Sequence, residues 1–499
     1  MFRKILVANR GEIAVRVLRA CREMGIPAAV VYSEADRAAR HVQLADEAVC
    51  VGPPPAVQSY LDMGRIIEAA RRTGADAVHP GYGFLAENPE FAERCIGAGL
   101  VFIGPTPAAM RRLGNKLAAR RLAEANGVPV IPGMLEEGGS DAECAARARA
   151  MGYPVLIKAA AGGGGKGMRR VDAEAQLAEA LAGAKRESAA AFGDASVYLE
   201  KLIERPRHVE FQVLADLHGA VVHLGERECS IQRRHQKIVE ETPSTALMPE
   251  LRERMGAAAV AVVRAAGYTN AGTVEFLLAP DGAFYFLEMN ARIQVEHPVT
   301  EMATGIDLVQ AQVRLAAGEA LPWEQADIRP RGHAMECRIY SENPADDFRP
   351  AAGDILYLRE PAGPGVRVDS GIAAGSSASV WYDPILAKII TWGENREEAR
   401  RRMARALAET VILGIETPLE YLRAVVGHPD FAAGRTHTGF LDEHFPGWAP
   451  APPSEEERRL AALSAALVKF RRRPDRSAAG PGAGEPPTPW QTLGKWENA

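Results

Sequence analysis

Two hydrophobic rhythms alternate along the first hundred or so positions. Lys4–Ala8 is a short apolar run, Glu12–Met24 carries apolar residues at helical spacing, and Ala28–Tyr32 is again a run of strand length. Tyr60–Arg72 and Asp76–His79 repeat the pair. Such alternation predicts a doubly wound parallel sheet over residues 1–113. A second unit, residues 114–330, opens near Asn115-Lys116. In it Val155–Lys158 predicts a strand, Ala161–Gly167 a glycine loop, Ala173–Glu187 a helix and Val197–Ile203 a strand; from Arg207 to Val299 strands dominate. Residues 331–446 read as an α+β region, and 447–499 as a Pro/Ala/Gly-rich tail around one helix at Glu455–Phe470. The expected class is α/β, in several domains.

Composition narrows the function. The 499 residues are 47 % apolar and 25 % charged, the balance of a globular protein with more than one core. The most apolar stretches, such as Ala257–Ala266, are short and carry Arg264, so no membrane span is expected. The start, Met-Phe-Arg-Lys, runs directly into a strand without a signal-peptide core. Cys21, Cys50, Cys95, Cys144, Cys229 and Cys337 are scattered, which suggests reduced thiols in a cytoplasm and no thiolate zinc site. A net charge of −5 offers nucleic acid no general attraction, and the basic run Lys469–Arg473 reads as a solvated linker face.

Two glycine clusters compete for a nucleotide. Gly81-Tyr82-Gly83-Phe84-Leu85-Ala86 fits a dinucleotide fingerprint but lacks the acidic ribose partner. Lys158-Ala159-Ala160-Ala161-Gly162-Gly163-Gly164-Gly165-Lys166-Gly167-Met168 is no Walker loop, since no Gly-Lys is followed by Ser or Thr. Its glycines let backbone N–H groups close over phosphate oxygens, with two lysines adding charge. Farther on, two apolar runs flank Asp281-Gly282, the strongest short-range hairpin signal. A two-residue turn there sets Glu275 opposite Glu288. Opposed carboxylates repel unless a divalent cation joins them, and oxygen ligands suit Mg²⁺ or Mn²⁺. A three-residue loop or a bulge would instead turn one Glu to solvent. Continuing with period two, Glu288, Asn290, Arg292 and Gln294 share a face, with Glu296 as its extension.

At these residues the chain resembles the ATP-grasp superfamily, and within it the biotin carboxylase component of biotin-dependent carboxylases. The motifs are residues 158–168 above, Arg-Pro-Arg-His-Val-Glu (205–210), Glu-Cys-Ser-Ile-Gln-Arg-Arg-His-Gln-Lys (228–237) and, most specific, Phe-Leu-Glu-Met-Asn-Ala-Arg-Ile-Gln-Val-Glu-His-Pro-Val-Thr-Glu (286–301). The resemblance runs from about residue 2 to 446 and implies an N-terminal Rossmann-like domain, an ATP-grasp domain with a mobile lid over about 131–203, and a C-terminal biotin carboxylase domain. It implies that Lys116 and Lys158 hold ATP phosphates under a lid containing Gly164 and Gly165. Glu200, Lys201, Leu202 and Ile203 would take the adenine edge; His208, Gln232 and His235 would line the nucleotide pocket. Glu275, Glu288 and Asn290 would bind two Mg²⁺ or Mn²⁺ ions. Lys237, Arg292, Gln294 and the Val295 backbone would hold bicarbonate, Glu296 would deprotonate it, and Arg338 and Tyr82 would meet biotin. Cys229 reads as structural.

The implied activity is ATP-dependent carboxylation of biotin through carboxyphosphate, the first half-reaction of an acyl-CoA carboxylase, with acetyl-CoA and fatty acid synthesis the leading assignment and propionyl-CoA or pyruvate the alternatives. Bicarbonate is a poor electrophile, so ATP must activate it while cations absorb the charge that builds on the phosphoryl group. Another ATP-grasp ligase would lack the Arg-Ile-Gln-Val-Glu-His run, and a nucleotide-sensing scaffold would have lost Glu288, Asn290 or Arg292. The resemblance also implies a homodimer with carboxyltransferase partners. Where a biotin acceptor would read Ala-Met-Lys-Met, this chain has Ala334-Met335-Glu336, so a separate carrier protein is expected. The tail helix and Trp490/Trp496 read as a docking element or the stub of a longer multidomain protein.

Overall fold

A computed structural model describes residues 1–133, 140–159 and 168–471. The Gly164-Gly165 pair and the chain beyond Arg471, with Trp490 and Trp496, lie outside these. Near the N-terminus, five parallel strands lie in the order Glu47–Gly52, Ala28–Ser33, Ile5–Val7, Ala77–His79, Val101–Phe102. The chain winds outward first on one side of Ile5–Val7 and then on the other, so the strand order reverses between Ile5–Val7 and Ala77–His79. A crevice opens at the carboxyl ends of two such strands. Asn9 follows the first strand, and its amide donates to the carbonyls of Pro80 and Tyr82, 2.7 Å each, beyond the second. The first glycine cluster is therefore the switch-point loop, with Gly81 and Gly83 at positive φ.

A small module follows the Lys116–Ala125 helix. Val155–Ala159 pairs antiparallel with Arg169–Val171 and Val197–Lys201, under the helices Asp141–Met151 and Glu174–Phe192. It has its own core of Cys144, Val155, Ile157, Leu177, Leu181 and Leu199. The second helix outruns the expected Ala173–Glu187 because Ala189–Ala191 continue it until Gly193, in the left-handed region at φ 73°, caps it.

The largest element is an eight-stranded antiparallel sheet, ordered Phe284–Asn290, Asn270–Leu278, Arg207–Ala215, Val221–Arg233, Gln236–Thr242, His333–Tyr340, Ile385–Gly393, Val366–Ser370. Alternation sorts its two faces. Val209, Phe211, Val213, Val274 and Phe276 join one core with Met255, Ala259 and Val262 of the Pro249–Ala265 helix. That helix was not expected amid the strands. On the opposite face stand His208, Glu210, Gln212, Thr273 and Glu275, all buried. Beyond residue 331 the sheet packs its other end on the helices Arg396–Glu409 and Leu419–Gly427 through Met335, Cys337, Ile389, Met403 and Leu422. Among the described residues, no helix is long and apolar enough to cross a membrane. Pro450–Ala499 forms a separate unit whose described part, residues 450–471, contains the helix Glu455–Arg471.

Candidate active site

The Asn270–Leu278 and Phe284–Asn290 strands pair Glu275 with Glu288 in register. They reach that pairing by a different route from the two-residue turn. Ala279 N–H donates to Ala283 C=O, which leaves a three-residue loop, Pro280–Gly282, and Leu278 opposite Phe284. Continued unbroken, that register would set Glu275 against Leu287. A bulge restores the pairing, because Phe276 faces Phe286 while Glu275 faces Glu288, leaving Leu287 as the extra residue. The strand also ends at Asn290, so Arg292, Gln294 and Glu296 do not continue its face. They reach the site from the segment leading into the His297–Thr304 helix, whose N-cap is Glu296.

A second hairpin supplies the other wall. The turn between Val221–Arg233 and Gln236–Thr242 is Arg234-His235, with φ 48° and 69°. Positive φ at both turn positions matches the strand twist, but side chains there cost about 1–3 kcal/mol each. The geometry sets Gln232 opposite Lys237. His235 lies near Lys158 and His208, and burial together with the Lys158 charge lowers its pKa.

Lys237 is the hub. Its Nζ donates to Glu210, to Glu275 Oε1 at 3.0 Å and to Glu296 Oε1 at 2.8 Å. Burial works against its charge, yet the three carboxylates hold its pKa well above the lysine range. Glu275 Oε1 also accepts from Asn290 Nδ2 at 2.8 Å and Gln294 Nε2 at 2.7 Å, while Oε2 lies 2.9 Å from His208 Nε2. Burial pushes the Glu275 carboxyl up, but Lys237 and His208 prevail and keep it well below the usual range. Glu296 shows the same contest. Burial raises it; Lys237, Arg338 and Arg227 together hold it well below. Its Oε2 accepts from Arg338 Nη2 at 3.0 Å, and Arg338 is held in turn by Glu240 through Nε at 2.6 Å. Arg227, with no exposed surface, donates to Glu210, Gln212, Thr300, Thr273 and Gln294. A buried guanidinium is tolerated only when its donors are met, and here it braces three elements at once.

Arg292 does not pair with Glu296. Its Nε donates to Glu87 Oε2 at 3.1 Å, and Glu87 Oε1 accepts the Ala291 N–H at 3.0 Å. Burial opposes the Arg292 charge, but Glu87 and Glu296 raise its pKa. Cys229 Sγ is 3.9 Å from Glu296 Oε1, a neighbour that the sequence does not reveal. Burial and Glu210 push that thiol well above its ordinary value, so it stays protonated and inert.

The residues expected around a nucleotide lie along one edge. Lys116 Nζ is 3.1 Å from Glu288 Oε2, both side chains partly exposed. Lys158 and Arg120 both meet Glu200, the penultimate residue of its strand, which ends at Lys201 and is followed by Leu202 and Ile203. His208 Nδ1 is 2.8 Å from Gln232 Nε2. Two carboxylates and an amide oxygen are a donor set for a hard divalent cation. Glu275, Glu288 and Asn290 carry these groups, with the Asn290 amide presenting its nitrogen to Glu275. Sequence reading did not single out Glu210, Arg227, Glu240, Glu87 or Arg120. Only the alternation of Glu210 with Val209 and Phe211 offered a signal, through burial of a carboxylate.

Comparison with known proteins identifies the family. Residues 1–110 match the family model for the biotin carboxylase N-terminal domain, 115–324 that for the carbamoyl-phosphate synthase L chain ATP-binding domain, and 336–443 that for the biotin carboxylase C-terminal domain. The chain is 52 % identical over 442 residues to the biotin carboxylase of a Nostoc species, covering 89 % of this chain and 99 % of that one. It is 55 % identical over 445 residues to a pyruvate carboxylase component from Methanothermobacter thermautotrophicus, covering 89 % and 90 %. The crystal structure of the biotin carboxylase domain dimer of Hydrogenobacter thermophilus 2-oxoglutarate carboxylase, in complex with MgADP, ADP and bicarbonate, superposes with a TM-score of 0.86 at 46 % identity, over 91 % of this chain and all of that one. The chain belongs to the biotin carboxylase family of ATP-grasp ligases.

Proposed function

We propose that this enzyme uses ATP to join bicarbonate to biotin presented by a carrier protein. The observation that carries the reading is Glu296, a buried carboxylate bracketed by Lys237 and Arg338. In this reading Lys116 and Lys158 hold the phosphates, and the 200–203 segment, His208, Gln232 and His235 hold the nucleoside, with Gly164 and Gly165 in a loop over the phosphates. Glu275, Glu288 and Asn290 hold Mg²⁺ or Mn²⁺, which offsets charge on the transferring phosphoryl group. Lys237, Arg292, Gln294 and the Val295 backbone hold bicarbonate.

Glu296 removes the bicarbonate proton, and the oxygen so freed attacks the γ-phosphorus, giving carboxyphosphate and ADP. Alone, a carboxylate held so far below its usual pKa is a weak base. A bound anion, however, competes for Lys237 and Arg338, and each interaction diverted from Glu296 raises its proton affinity. The binding of bicarbonate thus prepares its own base. Carboxyphosphate then breaks into CO₂ and inorganic phosphate, which takes the proton of the ureido N–H of biotin. Arg338 stabilises the negative charge left on the ureido oxygen while the ring nitrogen attacks CO₂, with Tyr82 at the switch-point crevice flanking the ring.

Acetyl-CoA is the acceptor this reading assigns to the complete carboxylase, with a carboxyltransferase partner, a homodimeric form and a cytoplasmic setting. A keto acid is the second reading, favoured by the similarity to a component of a pyruvate carboxylase. The burial of Met335 and Glu336 in a central strand supports a separate carrier, since Ala334-Met335-Glu336 offers a biotin ligase no exposed lysine. Phosphate release, measured in carbonate-depleted buffer, should require added bicarbonate and rise with free biotin. Equal rates with and without bicarbonate would refute the assignment. A streptavidin-reactive band on the purified chain, expressed beside an active biotin ligase, would refute the separate carrier.

A further inference from the structure

Lys388 is a fully buried cation in the Ile385–Gly393 strand, directly across from Arg338 and flanked by Ala387 and Ile389. None of the steps above uses it. Desolvating an ammonium costs several kcal/mol, and an aliphatic side chain would fill this strand position without that cost. Its environment shows what the charge accomplishes. Nζ donates to the Val295 carbonyl at 2.8 Å and lies 3.2 Å from Glu12 Oε2 of the Gly11–Glu23 helix. Neither Glu12 oxygen has a well-directed hydrogen bond, so Lys388 is the principal charge facing it. The Tyr82 ring centroid is 5.9 Å away.

The preceding peptide is pinned as well. The Gln294 carbonyl accepts from the His297 N–H at 3.3 Å and lies 2.7 Å from His297 Nδ1, which must carry the ring proton to face a carbonyl. In a trans peptide the N–H points opposite to the C=O. With both carbonyls held, the N–H groups of Val295 and Glu296 are turned away from His297 and Lys388, and the Gln294–Glu296 turn has one orientation.

We propose that Lys388 is a positioning residue for bicarbonate: by gripping the Val295 carbonyl it fixes the Val295 backbone and the Glu296 side chain, one as binding group and the other as base. This rests on the bicarbonate reading of Val295 and Glu296 given above. It makes Glu12 a counter-charge with no part in the reaction.

The test compares wild type with Glu12→Gln and with the double variant Glu12→Gln/Lys388→Met, using bicarbonate-dependent ATP cleavage and thermal unfolding. Lys388→Met alone is avoided because it strands Glu12. Glu12→Gln keeps the grip on Val295 and should show a wild-type KM for bicarbonate. The double variant should keep the wild-type KM for ATP while its KM for bicarbonate rises roughly ten- to hundredfold, the range a misplacement of about 1 Å produces. An unchanged bicarbonate KM in the double variant would overturn the proposal. So would an equal rise in both variants, or failure of the double variant to fold, since the ion pair would then be structural. If wild type itself shows no bicarbonate dependence, the underlying functional reading fails first, and this one with it.

Discussion

Replacing Glu296 with Gln removes a charge and a proton acceptor while conserving shape. The side chain is 2 % exposed and takes two charge-assisted hydrogen bonds, from Lys237 at 2.8 Å and Arg338 at 3.0 Å. A Gln oxygen can keep one of them, but its NH₂ must then face the other cation. The net loss is about one charge-assisted bond, or roughly 1.5–3 kcal/mol. The larger cost of stranding a buried ion, about 3–5 kcal/mol, does not arise, because Lys237 keeps Glu210 and Glu275 while Arg338 keeps Glu240. Loss of a general base slows a reaction roughly 10²- to 10⁴-fold, about 3–5 kcal/mol of barrier. Glu296→Gln should therefore unfold only a few degrees lower, bind ATP normally, and release phosphate in the presence of bicarbonate at least a hundred times more slowly. A variant within threefold of the wild-type rate would remove Glu296 from the role of base. One that loses rate only in proportion to lost folded protein would make it structural.

Glu288→Gln ends the like-charge opposition to Glu275 and gives up only a solvent-exposed pair with Lys116. The ligand-free protein should melt at the same temperature or slightly higher, a gain of at most about 1 kcal/mol, while activity at low magnesium collapses; near-normal activity there would contradict a shared cation. Glu241 is an acid-sensitive group away from the site. Burial alone would raise its carboxyl, but hydrogen bonds from His333 and Arg396 bring it down to about 2. A folded-state value below the unfolded one adds stability above about pH 4.5 and loses it as pH falls toward 2. Glu241→Gln should flatten that acid limb by roughly 2 kcal/mol between pH 7 and 3, read from denaturant midpoints; an unaltered limb would show the pairing to be neutral.

The three central strands near the N-terminus were legible because both their faces are buried, and the helices beside them because one apolar stripe faces the sheet, so apolar rhythm and structure coincide. The partly exposed strands Glu47–Gly52 and Val101–Phe102 carried no such rhythm. The pairing of Glu275 with Glu288 was legible for a weaker reason. A three-residue loop and a bulge at Leu287 shift the register in opposite directions, and the two cancel. No alternation pattern marks a bulge whose residue is itself apolar. The continuation of the strand to Gln294 failed because period-two spacing cannot distinguish a strand from a helix lead-in that returns polar groups to the same cavity. Arg227 illustrates the deepest limit. Its five acceptors come from strands, a helix and the segment leading into that helix, 15 to 73 positions away, so nothing local distinguishes it from a surface arginine. Cys229 was readable as structural from its isolation, but its position against Glu296 was not.

The eight-stranded sheet has a mechanical consequence. The matches to known families break between residues 324 and 336, yet the Gln236–Thr242 strand hydrogen-bonds to His333–Tyr340 in the interior of one continuous sheet, with Glu240 opposite Glu336. The seam in sequence is therefore no seam under load. Pulling on the region after residue 331 must either peel an interior strand away bond by bond or carry the preceding strands with it. A chain cut at that seam would expose the unpaired edge of Gln236–Thr242, a template for pairing between molecules. The two segments should resist force, yield to protease and aggregate as a single body.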